Sequence, residues 1–80
     1  MNANEIRDML SRCFTMLYFR YQGKDGHIDP YYTPGVGYSY LLWYDGAETL
    51  VHGPDEAMNT PFFDGRSLAE ISDQITDVDW

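Results

Sequence analysis

Tyr38-Ser39-Tyr40-Leu41-Leu42-Trp43-Tyr44-Asp45-Gly46-Ala47-Glu48-Thr49-Leu50-Val51-His52 sets two β-prone runs on either side of Asp45-Gly46. Asp-Gly in this setting is a strong hairpin signal, because a type I′ turn needs positive φ at both central residues and these two tolerate it. A two-residue loop also fixes the register: Tyr44 faces Ala47, Trp43 faces Glu48, Leu42 faces Thr49, Leu41 faces Leu50 and Tyr40 faces Val51. Tyr40, Leu42, Tyr44 and Val51 then share one side of the sheet. Leu41, Trp43 and Leu50 share the other with Ser39, Glu48 and His52.

Upstream, Ile6, Met9, Leu10, Cys13 and Leu17 recur at spacings of three and four, which predicts an amphipathic helix from about Asn4 to Phe14. Asn2 and Glu5 have the spacing of a capping box, with Asn4 as a competing cap. Met16 to Tyr21 turns to β-prone aromatics and reads as a strand closed by the turn Gly23-Lys24-Asp25-Gly26. Leu17, Phe19 and Tyr21 are expected inside, with Met16, Tyr18 and Arg20 outside. From His27 to Gly37, two prolines and two glycines break any period, so this segment reads as a long loop with a type II turn at Pro34-Gly35.

Downstream, Gly53-Pro54-Asp55-Glu56 starts a short helix that Thr60-Pro61 stops near Asn59. Phe62-Phe63 is expected to plug the core. Asp64-Gly65 supplies a turn, and Ser67-Leu68-Ala69-Glu70 is a capping box for a last helix from about Leu68 to Ile75. The tail Thr76-Asp77-Val78-Asp79-Trp80 continues the helix, docks Trp80 or frays. The expected fold is one α+β domain over residues 1–80: a three-stranded antiparallel sheet with an N-terminal helix and two short C-terminal helices, mainly on one face. Leu41, Trp43 and Leu50 are then left as an apolar strip, unless the 27–37 loop or the tail folds over them.

Composition narrows the function classes. At 44% hydrophobic and 16% aromatic residues, the chain is too apolar for a disordered acidic tail despite its net charge of −8. The charge is uneven: residues 1–24 hold four cations against two acids, a net of +2, while residues 25–80 hold eleven acids against Arg66, a net of −10. Such a surface repels nucleic acid and membrane phosphates and steers basic partners toward it. A single cysteine, Cys13, makes no internal disulfide and reads as a small core residue. The first residues lack the basic-then-apolar order of a signal peptide, and no apolar run is long enough to span a bilayer. A cytoplasmic location, with no membrane contact, is the expectation.

No catalytic motif stands out. His27 and His52 have acids nearby but no metal-ligand spacing, and read as surface histidines in a turn and at a strand end. Asp25 and Asp29 lack the ligand periodicity of a calcium loop. No serine sits in a nucleophile elbow, Ser67 is committed to its cap, and no glycine pattern makes a phosphate loop. No cofactor, no metal and no enzymatic activity are expected. A small hydrolase or metal protein built on His27 or His52 is the remote alternative.

The seven tyrosines exceed what a core of this size can hold. Tyrosine stacking on single-stranded bases needs a basic groove, so direct nucleic-acid binding is not expected. Tyrosine among acids fits a protein-binding surface. The candidate interaction residues are Tyr31, Tyr32, Leu41, Trp43, Leu50, Asp55, Glu56, Asp73, Asp77 and Asp79.

The words Gly26-His27-Ile28-Asp29-Pro30, Trp43-Tyr44-Asp45-Gly46, Asp55-Glu56-Ala57-Met58 and Thr60-Pro61-Phe62-Phe63-Asp64-Gly65-Arg66-Ser67-Leu68-Ala69-Glu70-Ile71 carry a resemblance over residues 18–80. In them the chain resembles small acidic proteins of unknown function encoded on mobile elements of gut Gram-positive bacteria. The resemblance implies a phage-like or conjugative setting and brings no site residues. The leading expectation is a non-enzymatic interaction module whose acidic C-terminal half engages a basic partner protein, including as occupant of that partner's nucleic-acid-binding site. The alternative is a structural domain that forms a homodimer through a sheet edge or the apolar strip.

Overall fold

A computed structural model describes residues 2–12 and 16–79. In order, its elements are α1 (Ala3–Arg12), β1 (Leu17–Tyr21), β2 (Lys24–Thr33), β3 (Gly37–Tyr44), β4 (Ala47–His52), α2 (Gly53–Asn59), α3 (Leu68–Ile71) and β5 (Thr76–Asp79). The α+β class and the three helices are as expected, but the sheet is five-stranded rather than three-stranded, in the order β4-β3-β2-β1-β5. Every pairing is antiparallel.

The β3–β4 hairpin adopts the expected register pair for pair, from Tyr44 opposite Ala47 to Tyr40 opposite Val51. Asp45 and Gly46 have φ of 49° and 89°, as a type I′ turn requires. The same device closes β1 onto β2, where Gln22 and Gly23 have φ of 52° and 74°. The turn is Gln22-Gly23 rather than Gly23 to Gly26, and Lys24, Asp25 and Gly26 are already strand.

The first correction is β2, which replaces the expected 27–37 loop. Pro30 concealed it, since proline lacks the N–H that an interior strand donates. Two observations explain its tolerance. The Asp25 carbonyl accepts from Asp45 N–H at 3.2 Å, so odd-numbered residues of β2 turn their backbone groups toward β3 and Pro30 turns away from it. On the other side β1 begins opposite Ile28, so Pro30 lies beyond its reach, where no ladder bond is lost. The turn at Pro34-Gly35 is as expected, with Val36 N–H donating to the Thr33 carbonyl at 3.0 Å.

The second correction is β5. Its pattern Thr-Asp-Val-Asp gives only Val78 to the core, and aspartate is a poor strand former, so little in the residues marks it. It pairs with β1 through an irregular ladder, Tyr18 opposite Asp79 and Arg20 opposite Thr76. The fates foreseen for Cys13, Phe14 and Trp80 lie outside the described residues.

All three helices cover one face. Ile6 and Leu10 of α1, Ala57 and Met58 of α2, and Leu68 and Ile71 of α3 are buried with Leu17, Phe19, Tyr21, Ile28, Tyr40, Leu42, Tyr44 and Val51 of the sheet. Phe63 sits at 0% exposure among Phe62, Phe19 and Tyr44, with ring centroids 5.3, 5.6 and 5.7 Å away. The Tyr40 hydroxyl donates to the Leu10 carbonyl and the Tyr44 hydroxyl to that of Tyr21, which satisfies both phenols inside the core. Burial pushes both phenols above their ordinary range.

Gly26 lies opposite Phe19, and a Cβ there would come within 2.7 Å of the Phe19 ring. Phe19 is buried edge-to-face against Phe63, so moving aside would disturb that contact. Gly26→Ala is therefore expected to cost about 1–3 kcal/mol by overpacking, read by urea denaturation.

Both capping boxes form. Glu5 N–H donates to Asn2 Oδ1 at 2.9 Å and Asn2 N–H to Glu5 Oε1 at 3.2 Å, while Asn4 lies inside the helix. Glu70 N–H donates to Ser67 Oγ at 3.2 Å and Ser67 N–H to Glu70 Oε1 at 3.0 Å. Helix α3 stops at Ile71 rather than Ile75, as the Ser72 hydroxyl donates back to the Ala69 carbonyl. The Ser67 backbone and side-chain bonds, helped by Arg66, hold the Glu70 carboxyl below its usual range. A lowered native pKa adds stability above the unfolded carboxylate range and loses it as pH falls through the native value. The melting difference between the native chain and Glu70→Gln should thus be largest near neutrality and close as the pH drops below that value.

Candidate protein-interaction face

The alternation that buries Tyr40 and Leu42 turns the side chains between them onto the helix-free face, and the pairings arrange these in rows. One row crosses all five strands: Glu48 opposite Trp43, Trp43 opposite His27, His27 opposite Tyr18, and Tyr18 opposite Asp79. A second holds Leu50, Leu41 and Asp29, and a third His52, Ser39 and Tyr31. Arg20 and Asp25 make a further row and an ion pair at 2.7 Å.

The long row is aromatic at its centre. His27 and Trp43 stack with centroids 5.0 Å apart and planes 6° from parallel. Tyr18 meets His27 edge-on at 5.6 Å. Leu50 is 52% exposed, Tyr31 50% and Tyr18 49%, with Leu41, Trp43 and His27 half-buried. No helix packs on this side among the described residues. The segment foreseen as a cover, 27–37, is itself mostly strand β2, and residues 76–79 form the β5 edge.

The ten residues singled out from sequence do not form one surface. Tyr31, Leu41, Trp43, Leu50 and Asp79 lie on the open face. Tyr32 lies on the opposite side, its ring 5.1 Å from Tyr38. Asp55 and Glu56 belong to α2 in the helical layer and already hold it in place: Asp55 accepts from Arg7 at 2.7 Å, and the Glu56 carboxylate accepts the His52 N–H at 2.8 Å. Asp73 is exposed in the turn after α3, and Asp77 is exposed at the irregular part of β5 with φ of 52°.

The structure adds His27 and Asp29 to the open face, and joins to it Tyr18, which the sequence turned outward, and Glu48, which the hairpin register already placed there. His27 is a strand residue rather than a turn residue, a placement hidden with β2 itself. The signal was Gln22-Gly23, whose reading as a two-residue turn would have set the β1–β2 register and brought Tyr18 beside His27.

Electrostatically the face is acidic. The ion pairs among the described residues are Arg7–Asp55, Arg12–Asp8, Arg20–Asp25 and Lys24–Asp45, so Glu48, Asp29 and Asp79 have no cationic partner there. The Asp29 carboxylate beside Tyr31 raises that phenol above its ordinary range. Ser39 Oγ lies 3.2 Å from His52 Nδ1, with Ser39 half-buried and His52 exposed. Among the described residues no group of three or more His, Cys, Asp and Glu converges on a metal arrangement, and no helix is long and apolar enough to cross a membrane. No protein-family model, curated protein or solved structure matches the chain.

Proposed function

We propose that this protein is a non-enzymatic protein-interaction module whose docking surface is the helix-free face of its sheet, and that its partner is basic. The observation that carries the reading is the row Glu48–Trp43–His27–Tyr18–Asp79, in which half-exposed aromatic groups are bracketed by carboxylates. Aromatic side chains supply rigid contact area, and unpaired carboxylates around them select positive charge. The acids of α2 support fold rather than binding in this reading, which moves the docking surface from the acidic C-terminal half to the sheet. Paired baits test it. A protein cross-linked to the native chain and lost from Trp43→Ala, with affinity falling as salt rises, supports the reading; equal capture by both baits removes the face.

Self-association is the second reading, favoured by one observation. Strand β4 is a six-residue edge beside half-exposed Leu50, whereas the other edge, β5, is short, charged and irregular. Against it, an isologous contact through the open face would bring Glu48 and Asp29 near like charges. Sedimentation over a concentration series decides: a monomer throughout eliminates the dimer.

A further inference from the structure

We infer that the open face is built to take an arginine side chain of the partner polypeptide, its guanidinium stacked on Trp43 and paired with Glu48. This rests on the open face being the docking surface. The stack of His27 on Trp43 has a centroid separation of 5.0 Å, close to the roughly 4.8 Å between neighbouring strands. The two rings therefore stand side by side along the inter-strand direction. His27 covers one ring face of Trp43, and the other looks toward β4, where Glu48 is the direct cross-strand neighbour. Leu50, two residues along β4 on the same side, and its partner Leu41 supply apolar ground for a methylene stem.

Charge decides the occupant. Glu48 has no cation among the described residues: Arg20, on the same face, pairs with Asp25 at 2.7 Å, and Lys24, which lies over Tyr44 on the helix side, pairs with Asp45 at 3.5 Å. A second copy of this face would add carboxylates where a cation is wanted. A nucleic acid or an anionic membrane would bring phosphates to the same place. A flat, weakly hydrated guanidinium meets both demands at once, lying on an indole face while its edge donates to a carboxylate. A lysine ammonium meets only the charge.

Titrating the isotope-labelled full chain with blocked hexaarginine and hexalysine peptides at one salt concentration tests this. Hexaarginine should bind at least about fivefold more tightly, with shifts centred on Trp43, Glu48 and His27. Glu48→Gln should weaken hexaarginine several-fold and erase most of its preference over hexalysine. Equal affinities with shifts confined to the open face overturn the arginine assignment and leave the docking face standing. Shifts restricted to α1 and α2, with the open face silent, overturn both. Binding of oligothymidylate at Trp43 would also overturn the assignment, since it would show the face to accept anions.

Discussion

Phe63→Ala is expected to remove about 3–5 kcal/mol of stability, the largest loss from any single truncation in this chain. The residue is fully buried and meets three other rings, two of them on different strands of the sheet and one next to it in the segment linking α2 to α3. It therefore joins the helical connection to strands β1 and β3 of the sheet. Against a total of about 4–12 kcal/mol for a domain of this length, the loss leaves the variant marginal. The melting midpoint should fall by at least about 12 °C. Phe62→Ala is the control: Phe62 is only half-buried, so its truncation should cost less than half as much. A Phe63→Ala cost no larger than that of Phe62→Ala would mean that the core is organised elsewhere.

Local chemistry made much of this fold legible. Asp45-Gly46 set a register that the structure repeats pair for pair, and the two capping boxes form where their spacing pointed, although in sequence Asn4 is a rival cap for the first. In each case a few adjacent residues carry the whole signal. The two missed strands depend instead on their neighbours. Strand β2 is legible only once β1 is known to end before Pro30, and β5 only once Val78 has a core to face. The same distinction runs through the candidate site. Leu41, Trp43 and Leu50 were visible because they lie on the hairpin. His27 and Asp29 were not, and Tyr18 was legible only as facing outward, because their neighbours depend on pairings across β1 and β2. Acidic residues were the poorest guide: Asp55 and Glu56 proved to be tied to Arg7 and to the His52 backbone. In a chain with eleven acids after residue 24, charge alone does not separate a binding group from a helix support.

Trp43→Ala is expected to weaken partner binding by about 30-fold or more while leaving the fold nearly intact. The binding side of this rests on its place between Glu48 and His27 in the five-strand row, with Leu41 and Leu50 in the next row. Central aromatic anchors of an interface typically cost 2 kcal/mol or more on truncation, which is about 30-fold in affinity. The folding side rests on what Trp43 touches. It is half-buried, faces away from the helices, and packs against His27 and its cross-strand neighbours. Losing such pairs costs about 0.2–1 kcal/mol each, well inside the stability of the domain. Two controls isolate the face. Tyr32→Ala removes a more exposed ring, at 58%, from the opposite side of the sheet and should leave affinity unchanged. Asp55→Asn removes a carboxylate from the helical layer, where the exposed pair with Arg7 is worth at most about 1 kcal/mol, and should also leave it unchanged. If Asp55→Asn weakens binding as much as Trp43→Ala does, the partner is reading total acidity, and the aromatic row is not its site.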